Sequence, residues 1–472
     1  MAQPRSDRRA RHRPGPQTAP SGGRRPPEPG SFASAEAARV EEQRLAEDSA
    51  SRSRIARARR AVRGLAVDTR PLREHRDFRL LWFGQLISET GHQMTRVAIW
   101  IQVFAITGSA AAVGLTGLVE LVFLLAASVA GGSIVDRFDR RRLLLLTQVA
   151  FAGASTLLLV NALQASPPVW IIYLGAGLTA AISGIASPTG LAMTPNLVAR
   201  GQLAQALALN QVMLSATMIA GPAIGGIVVG QAGFQWAYAI DVLTYGATIT
   251  AALLMRPMPP AEESRTVTGT KAIKEGFAYL KGKPVLQSTF YADLIAMIFG
   301  MPRALFPVLA VQEFHGGAEI VGVMASSLAI GAVLGAVTTG WVGRVRRQGL
   351  ATLIAVGIWG ACIVGFGLAN GSLWLALFFL AIAGGADVIS AVFRGSILQL
   401  SVPEKLRGRL SAIHILVVTG GPRLGDFESG VVAALFTPVA SVLIGGLACV
   451  AGVVGLGIAV PQFRRWRVGD ET

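Results

Sequence analysis

The sequence predicts an all-α polytopic membrane protein of twelve transmembrane helices, arranged as two six-helix bundles behind a disordered N-terminal tail. Three observations predict it. Apolar runs of about 18–25 residues recur along the chain, each long enough to cross a hydrocarbon core of about 30 Å as a helix. Charge is scarce at 15%, against roughly 25% in soluble domains, while 52% of residues are hydrophobic and the mean hydropathy is +0.52. The longest internal connection, about 257–285, falls between the sixth and seventh apolar runs and divides the chain in half.

The tail comes first. Residues 1–77 hold 18 Arg and 10 Asp or Glu. The stretch MAQPRSDRRARHRPGPQTAPSGGRRPPEPG has too few apolar residues to bury a core, so a disordered, basic, cytoplasmic segment is expected. It also lacks the short apolar core of a secretory signal. A charged helix near 34–64 that meets a partner or anionic lipid stands as the alternative to a plain solvated tail.

Twelve spans follow, at about 79–105, 112–135, 143–163, 169–190, 206–229, 236–256, 286–311, 320–342, 351–369, 373–398, 411–433 and 438–461. They give an N-terminal bundle over 78–256, a cytoplasmic linker over 257–285, a C-terminal bundle over 286–463 and a cytoplasmic tail over 464–472. The loops test this order through the positive-inside rule. Odd-numbered loops, near 108–112, 164–168, 231–235, 313–319, 370–372 and 435–439, contain no Lys or Arg. Even-numbered loops carry Arg137 and Arg140–Arg142, Arg200, then Arg265, Lys271, Lys274, Lys281 and Lys283. Arg344, Arg346 and Arg347, then Lys405, Arg407 and Arg409, continue the series, and Arg464, Arg465 and Arg467 close it. The split is complete, so both termini are expected in the cytoplasm of a cell with the chain in its inner membrane. The net charge of +16 then reflects topology, and no nucleic-acid partner is expected.

A shift of 208 residues aligns parts of the two halves: Val113-Gly114 falls on Val321-Gly322, Gly132 on Gly340, and the loop at 136–142 on the one beginning at Arg344. Such self-similarity is what two parallel six-helix repeats produce. Cys362 and Cys449 both lie inside apolar runs, so neither a disulfide framework nor metal-ligand spacing is present.

The second loop carries the most specific motif. Gly132-Ser-Ile-Val-Asp136-Arg137-Phe-Asp139-Arg140-Arg141 resembles the G-x-x-x-D-[RK]-x-G-[RK]-[RK] loop of the major facilitator superfamily, with Asp139 in place of its second glycine. A merely topogenic loop would explain the arginines but not Gly132 and Asp136 at that spacing. HRDFRLLWFGQLISETGHQMTRVAIWIQVFAITGSA, QLSVPEKLRGRLSAIH and GGPRLGDFESGVVAALFTP are similar to the first and eleventh helical regions of its enterobactin-exporter-like branch of drug and siderophore exporters. The resemblance implies two bundles that rock about a midplane cavity, with Asp136 latching one end state against the other bundle near helix eleven. Gly221-Pro222-Ala-Ile-Gly225-Gly226 resembles the core of the family's antiporter motif, although its upstream glycines are Ala208 and Thr217 here. Glycines in such a helix also serve close packing alone.

Charges inside the apolar runs mark the transport path, because each costs at least about 2.5–3.5 kcal/mol at the bilayer centre unless it faces the interior or a partner. Glu89, His92 and Arg96 are spaced i, i+3, i+7 and share one face of the first span. Asp387 and Arg394 in the tenth span have the same seven-residue spacing and can pair with each other or across the cavity. The seventh span offers Asp293 and Arg303, and the eleventh Arg423, Asp426 and Glu428; Glu120 and Asp241 stand alone in the second and sixth. Glu89, Asp293 and Asp387 are the candidate proton carriers, and His92, Arg96, Glu120, Asp241, Arg303, Arg394, Arg423 and Asp426 the candidate cavity residues. The resemblance implies an acid where His92 stands, and an arginine in the fourth span of many drug antiporters; neither is found here.

These features predict a secondary active transporter that exports a small amphipathic compound, such as a siderophore or drug, in exchange for protons. No P-loop occurs, so nucleotide-driven pumping is not expected, nor is any cofactor. His315 and His414 are isolated on opposite sides, which argues against an enzyme. Two readings stay open at this stage: a proton-coupled uptake symporter of the same fold, and a non-transporting scaffold with a basic partner-binding tail.

Overall fold

The computed structural model describes residues 68–135, 139–258 and 270–469. Twelve long helices match the twelve expected spans, with ends moved by a few residues. In the first half they are α1 (Arg76–Thr107), α2 (Ala110–Val135), α3 (Arg140–Ala162), α4 (Val169–Leu197), α5 (Leu203–Ala232) and α6 (Phe234–Leu254). The second half has α7 (Pro284–Phe299), α8 (Ala318–Thr338), α9 (Gln348–Gly367), α10 (Leu373–Ser401), α11 (Glu404–Leu435) and α12 (Pro438–Ala459). Among the described residues, ten helical segments are long and apolar enough to cross a membrane. The exceptions are α1 and α11, 32 residues each, which carry more charge than the other long helices. Helices suit this setting because every backbone group is satisfied within its own segment.

Local chemistry sets the helix ends. Gly108 adopts a left-handed φ of 62° and donates its N–H to the Phe104 carbonyl, ending α1 with a residue that bears no Cβ penalty. The seventh span is not one helix. Gly300, Met301 and Pro302 interrupt it, a 3-10 turn at Arg303–Leu305 follows, and Phe306–Gln312 completes the crossing. Pro302 supplies no N–H and disfavours helical backbone at the residue before it.

The linker also differs from a plain connection. Residues Thr270–Leu280 form a helix that packs on α11, where Glu275 Oε2 lies 3.0 Å from Arg409 Nε and Leu280 joins a buried cluster with Leu410 and Ile413. At its other end the linker is fastened to α3. The Asp139 carboxylate accepts from the Arg142 N–H at 3.0 Å, capping α3, and from the Met258 N–H at 2.9 Å. Arg140 N–H donates to the Met258 carbonyl at 3.1 Å. Arg141 donates to the carbonyls of Ala252 and Leu253 at 2.6 and 2.7 Å, satisfying the end of α6. Asp136 and Arg137 lie outside the described residues, as do the expectations for residues 1–67; Gly132 falls in the last turns of α2.

The two halves meet along two helix pairs, α2 with α11 and α5 with α8, in both cases through glycines. A methyl at Gly114 would lie 2.6 Å from the Asp426 carbonyl oxygen, and one at Gly430 2.7 Å from that of Ala110. On the other side, a methyl at Gly226 would lie 2.5 Å from the Ala318 carbonyl oxygen, and Gly322 packs against the Pro222 carbonyl. Gly114 and Gly322 are the residues that the 208-residue shift superimposes. The packed core follows the same division. One cluster joins residues of both halves, including Val103, Val113, Val229, Leu309, Val321 and Ala433, all near the uncharged loops. At the basic-loop end this cluster continues only within the second half, through Leu353, Ile397, Phe463 and Trp466, and two further clusters each stay within one half, one around Phe78, Leu144, Leu197 and Leu209 and the other around Leu286, Phe290, Val402 and Ile413.

Candidate functional site

The transmembrane charges gather into three groups. The first is a belt that crosses the molecule. Arg96 from α1 and Arg303 from the break after α7 both lie over the Trp100 ring, 5.8 and 5.9 Å from its centroid. Arg303 Nη2 reaches Asp426 Oδ2 of α11 at 3.1 Å. One turn earlier on α11, Arg423 Nε reaches Glu120 Oε2 of α2 at 3.0 Å, and Arg423 Nη1 donates to the Thr419 carbonyl at 2.6 Å. Gly117 makes the approach feasible, since a methyl there would stand 2.6 Å from the Arg423 carbonyl oxygen. Glu120, the lone charge of the second span, thus forms an ion pair between the halves. Three arginines and two carboxylates leave this belt with one excess positive charge. Arg96 carries it: its head group donates to Gln93 Oε1 at 3.2 Å and has no carboxylate within 4.0 Å among the described ion pairs.

The second group lies within the second half, between α7 and α10. Arg394 of α10 lies with Nη1 2.8 Å from Asp293 Oδ1 of α7 and Nη2 3.8 Å from Asp387 Oδ1. The expected pairing along α10 and the pairing to another helix thus both occur. Arg394 and Asp293 are 3% exposed, whereas the Asp387 side chain keeps 29% of its surface. Two carboxylates share one guanidinium, which leaves one negative charge uncompensated. Asp293 Oδ2 and Arg394 Nε have no hydrogen-bond partner.

The third group is of a different kind. Asp241 has no exposed surface, and its carboxylate accepts from Ser155 Oγ at 2.6 Å and Thr95 Oγ1 at 2.7 Å, tying α6 to α3 and α1. Gly91 permits this, because a methyl there would lie 2.7 Å from Asp241 Oδ1. Asp241 is placed as an internal brace rather than as the lone cavity residue suggested by its isolation in the sixth span. Beside it His92 Nδ1 lies 3.2 Å from the Tyr245 hydroxyl, whose ring stacks on Phe151 at 5.5 Å. Glu89, His92 and Arg96 are all half-buried on α1, and no hydrogen bond or ion pair joins Glu89 to Arg96.

Of the antiporter-like glycines, Gly221 and Gly225 abut Gln93 and Met94 of α1, while Gly226 and the Pro222 carbonyl face α8 across the halves. Sequence reasoning passed over Trp100, Gln93, Thr95, Ser155 and Tyr245. Trp100 had a readable signal, one turn beyond Arg96 on the same face. The hydroxyls had none, since Ser and Thr are common in such helices.

Known proteins resemble the chain over nearly all of the described region. The profile of the family described as transmembrane secretion effector matches residues 67–468. The enterobactin exporter EntS of Citrobacter koseri is 27% identical over 408 residues, covering 84% of this chain and 94% of that one. The exporter of the same name from Salmonella typhi is 27% identical over 408 residues, covering 84% and 95%. Among solved structures, a bacterial homologue of the human lysosomal transporter Spinster, inward-facing and unoccupied, superimposes with a TM-score of 0.61 at 17% identity, covering 82% of this chain and 96% of that one. That likeness shows the fold.

Proposed function

Since the chain belongs to the transmembrane secretion effector family of major facilitator transporters, we propose that it exports a small amphipathic compound, of the siderophore or drug class, in exchange for protons. As a member of that family it is a multi-pass membrane transporter and not an enzyme. The exporter names of its relatives support the direction. Export proceeds by alternating access across the inner membrane, with both termini in the cytoplasm. The observation that carries this reading is the divided core, fused across the halves at the uncharged-loop end and split at the basic-loop end. With the basic loops cytoplasmic, the cleft opens inward and the Glu120–Arg423 pair helps close the outer side.

Residues 78–256 and 286–463 act as the two rocking bundles, and 257–285 joins them. Asp387 is the leading proton acceptor. It is the accessible member of a group with one charge too many, and a proton there removes the excess. Asp293 holds Arg394 in place, and Glu89 on α1 is the second acceptor. Arg96 over Trp100 receives an electron-rich or anionic part of the substrate, and apolar walls take the rest. Asp136 latches the outward-facing state.

Everted membrane vesicles test the proposal. A labelled siderophore or dye should accumulate only with an imposed proton gradient, and Asp387→Asn should abolish the gradient dependence. Transport unaffected by collapse of the gradient would refute proton coupling, and movement in the opposite direction would replace export with uptake.

A further inference from the structure

Away from the cavity, an apolar groove of about 370 Å³ runs between α7 and α12 on the outside of the second half, lined by Tyr291, Ile295, Phe299, Gly452, Gly455 and Ala459 among others. From Tyr291 to Phe299 it extends about 12 Å along the helix axis. One leaflet of a bilayer core is about 15 Å deep. The groove therefore has the depth of a single acyl chain within one leaflet, and its glycines create it by leaving the α12 surface without side chains.

Both walls end in basic residues at the same face. Lys281 and Lys283 immediately precede α7, and Arg464, Arg465 and Arg467 follow α12, beyond Ala459. The short helix Pro461–Arg465 packs against α7 and α9, and Val468 N–H donates to the Arg346 carbonyl at 3.0 Å, which brings the loop bearing Arg344, Arg346 and Arg347 to the same place. No carboxylate lies within 281–291, 344–350 or 452–469; Asp470 and Glu471 come after the described residues. Arg464, Arg465 and Lys281 are exposed.

We infer that this groove and its basic rim form a binding site for an anionic phospholipid, with one acyl chain against Ile295, Phe299 and Gly455 and the phosphate against Lys283, Arg464 and Arg465. Charge complementarity selects the ligand. A zwitterionic headgroup brings no net charge to the rim, whereas phosphatidylglycerol does, and basic pockets at helix ends on the cytoplasmic side favour such lipids. The site lies outside the transport cavity and does not depend on what the cavity carries.

Native mass spectrometry of the full chain, purified in detergent and given defined lipids, tests this. Phosphatidylglycerol should be retained at least ten-fold more than phosphatidylcholine. Gly455→Leu fills the groove from a position where a Cβ meets nothing within 4 Å, and should lower phosphatidylglycerol retention at least ten-fold. Ala459→Phe, at an exposed position, should do the same and serves if the first variant unfolds. Arg464→Gln with Arg465→Gln should bring phosphatidylglycerol down to the phosphatidylcholine level. Equal retention of the two lipids, retention unchanged in both groove variants, or displacement by glycerol 3-phosphate as effective as by phosphatidylglycerol would overturn the assignment.

Discussion

Replacing Glu120 by Gln removes one partner of the ion pair that joins α2 to α11 across the two halves. The pair is 3.0 Å long, with side-chain exposures of 13% for Glu120 and 18% for Arg423, so solvent screens it only in part. Breaking a fully buried pair costs about 3–5 kcal/mol and an exposed one below about 1 kcal/mol. An intermediate value of about 2 kcal/mol is expected here. On the proposed alternating-access reading the pair holds the outer ends of the halves together, so its loss acts on the balance between conformations. At about 1.4 kcal/mol per decade, the shift toward an outward-open form is about thirty-fold. Spin labels at Ser109 and Phe436, one on each half near the uncharged loops, report the separation by pulsed electron resonance. Both natural cysteines are buried, so engineered Ser109→Cys and Phe436→Cys sites label with little background. Glu120→Gln and Arg423→Gln should each add a longer-distance population, and the double variant should add no more than the larger single effect. Distance distributions unchanged in both single variants would refute the gating role of the pair.

Four further outcomes follow from the same geometry. Gly226→Leu drives a side chain into the Ala318 carbonyl, so the α5–α8 contact should fail and the same labels should report an outer side that no longer closes. Arg96→Ala removes the cation without a carboxylate partner; transport of an anionic dye should fall at least ten-fold, with a neutral analogue far less affected. Asp139→Ala loses the cap of α3 and the clamp on Met258, costing about 1 kcal/mol for the cap alone, read as a lower melting temperature with substrate binding retained. Arg394→Ala leaves Asp293 and Asp387 facing each other without a cation; the protein should survive extraction poorly, and Asp293→Asn in the same chain should restore part of the loss.

The fold was largely legible because the bilayer imposes a single rule, that every crossing is a long apolar helix, and the loop arginines add direction. What escaped the sequence has local causes. The interruption at Gly300–Pro302 lies inside one continuous apolar run, where hydropathy cannot distinguish a helix from two pieces and a turn. The linker helix at Thr270–Leu280 is short and polar, and its order comes from packing on α11 rather than from its own pattern. Asp139 reads as a departure from a familiar motif, yet it fills a capping role that glycine cannot, because its side chain supplies the acceptor. Within the site, the i, i+3, i+7 spacing identified the α1 face, but no spacing within one helix could reveal that Glu120 meets Arg423, 303 residues away, or that Asp241 is absorbed by hydroxyls. Long-range partners depend on which helices the fold brings together.

The clamp on Met258 bears on how far the halves can part. One end of the connecting segment is bolted to α3, and the other, from Thr270, is seated on α11. Only twelve peptide steps separate Met258 from Thr270, and a fully extended chain covers at most about 3.6 Å per step. Met258, clamped to α3, and Thr270, the first residue of the helix seated on α11, are thus leashed to within about 43 Å of each other. Lengthening the leash with inserted glycine and serine should be harmless, and shortening it by several residues should stall the widest-open state while leaving each half intact.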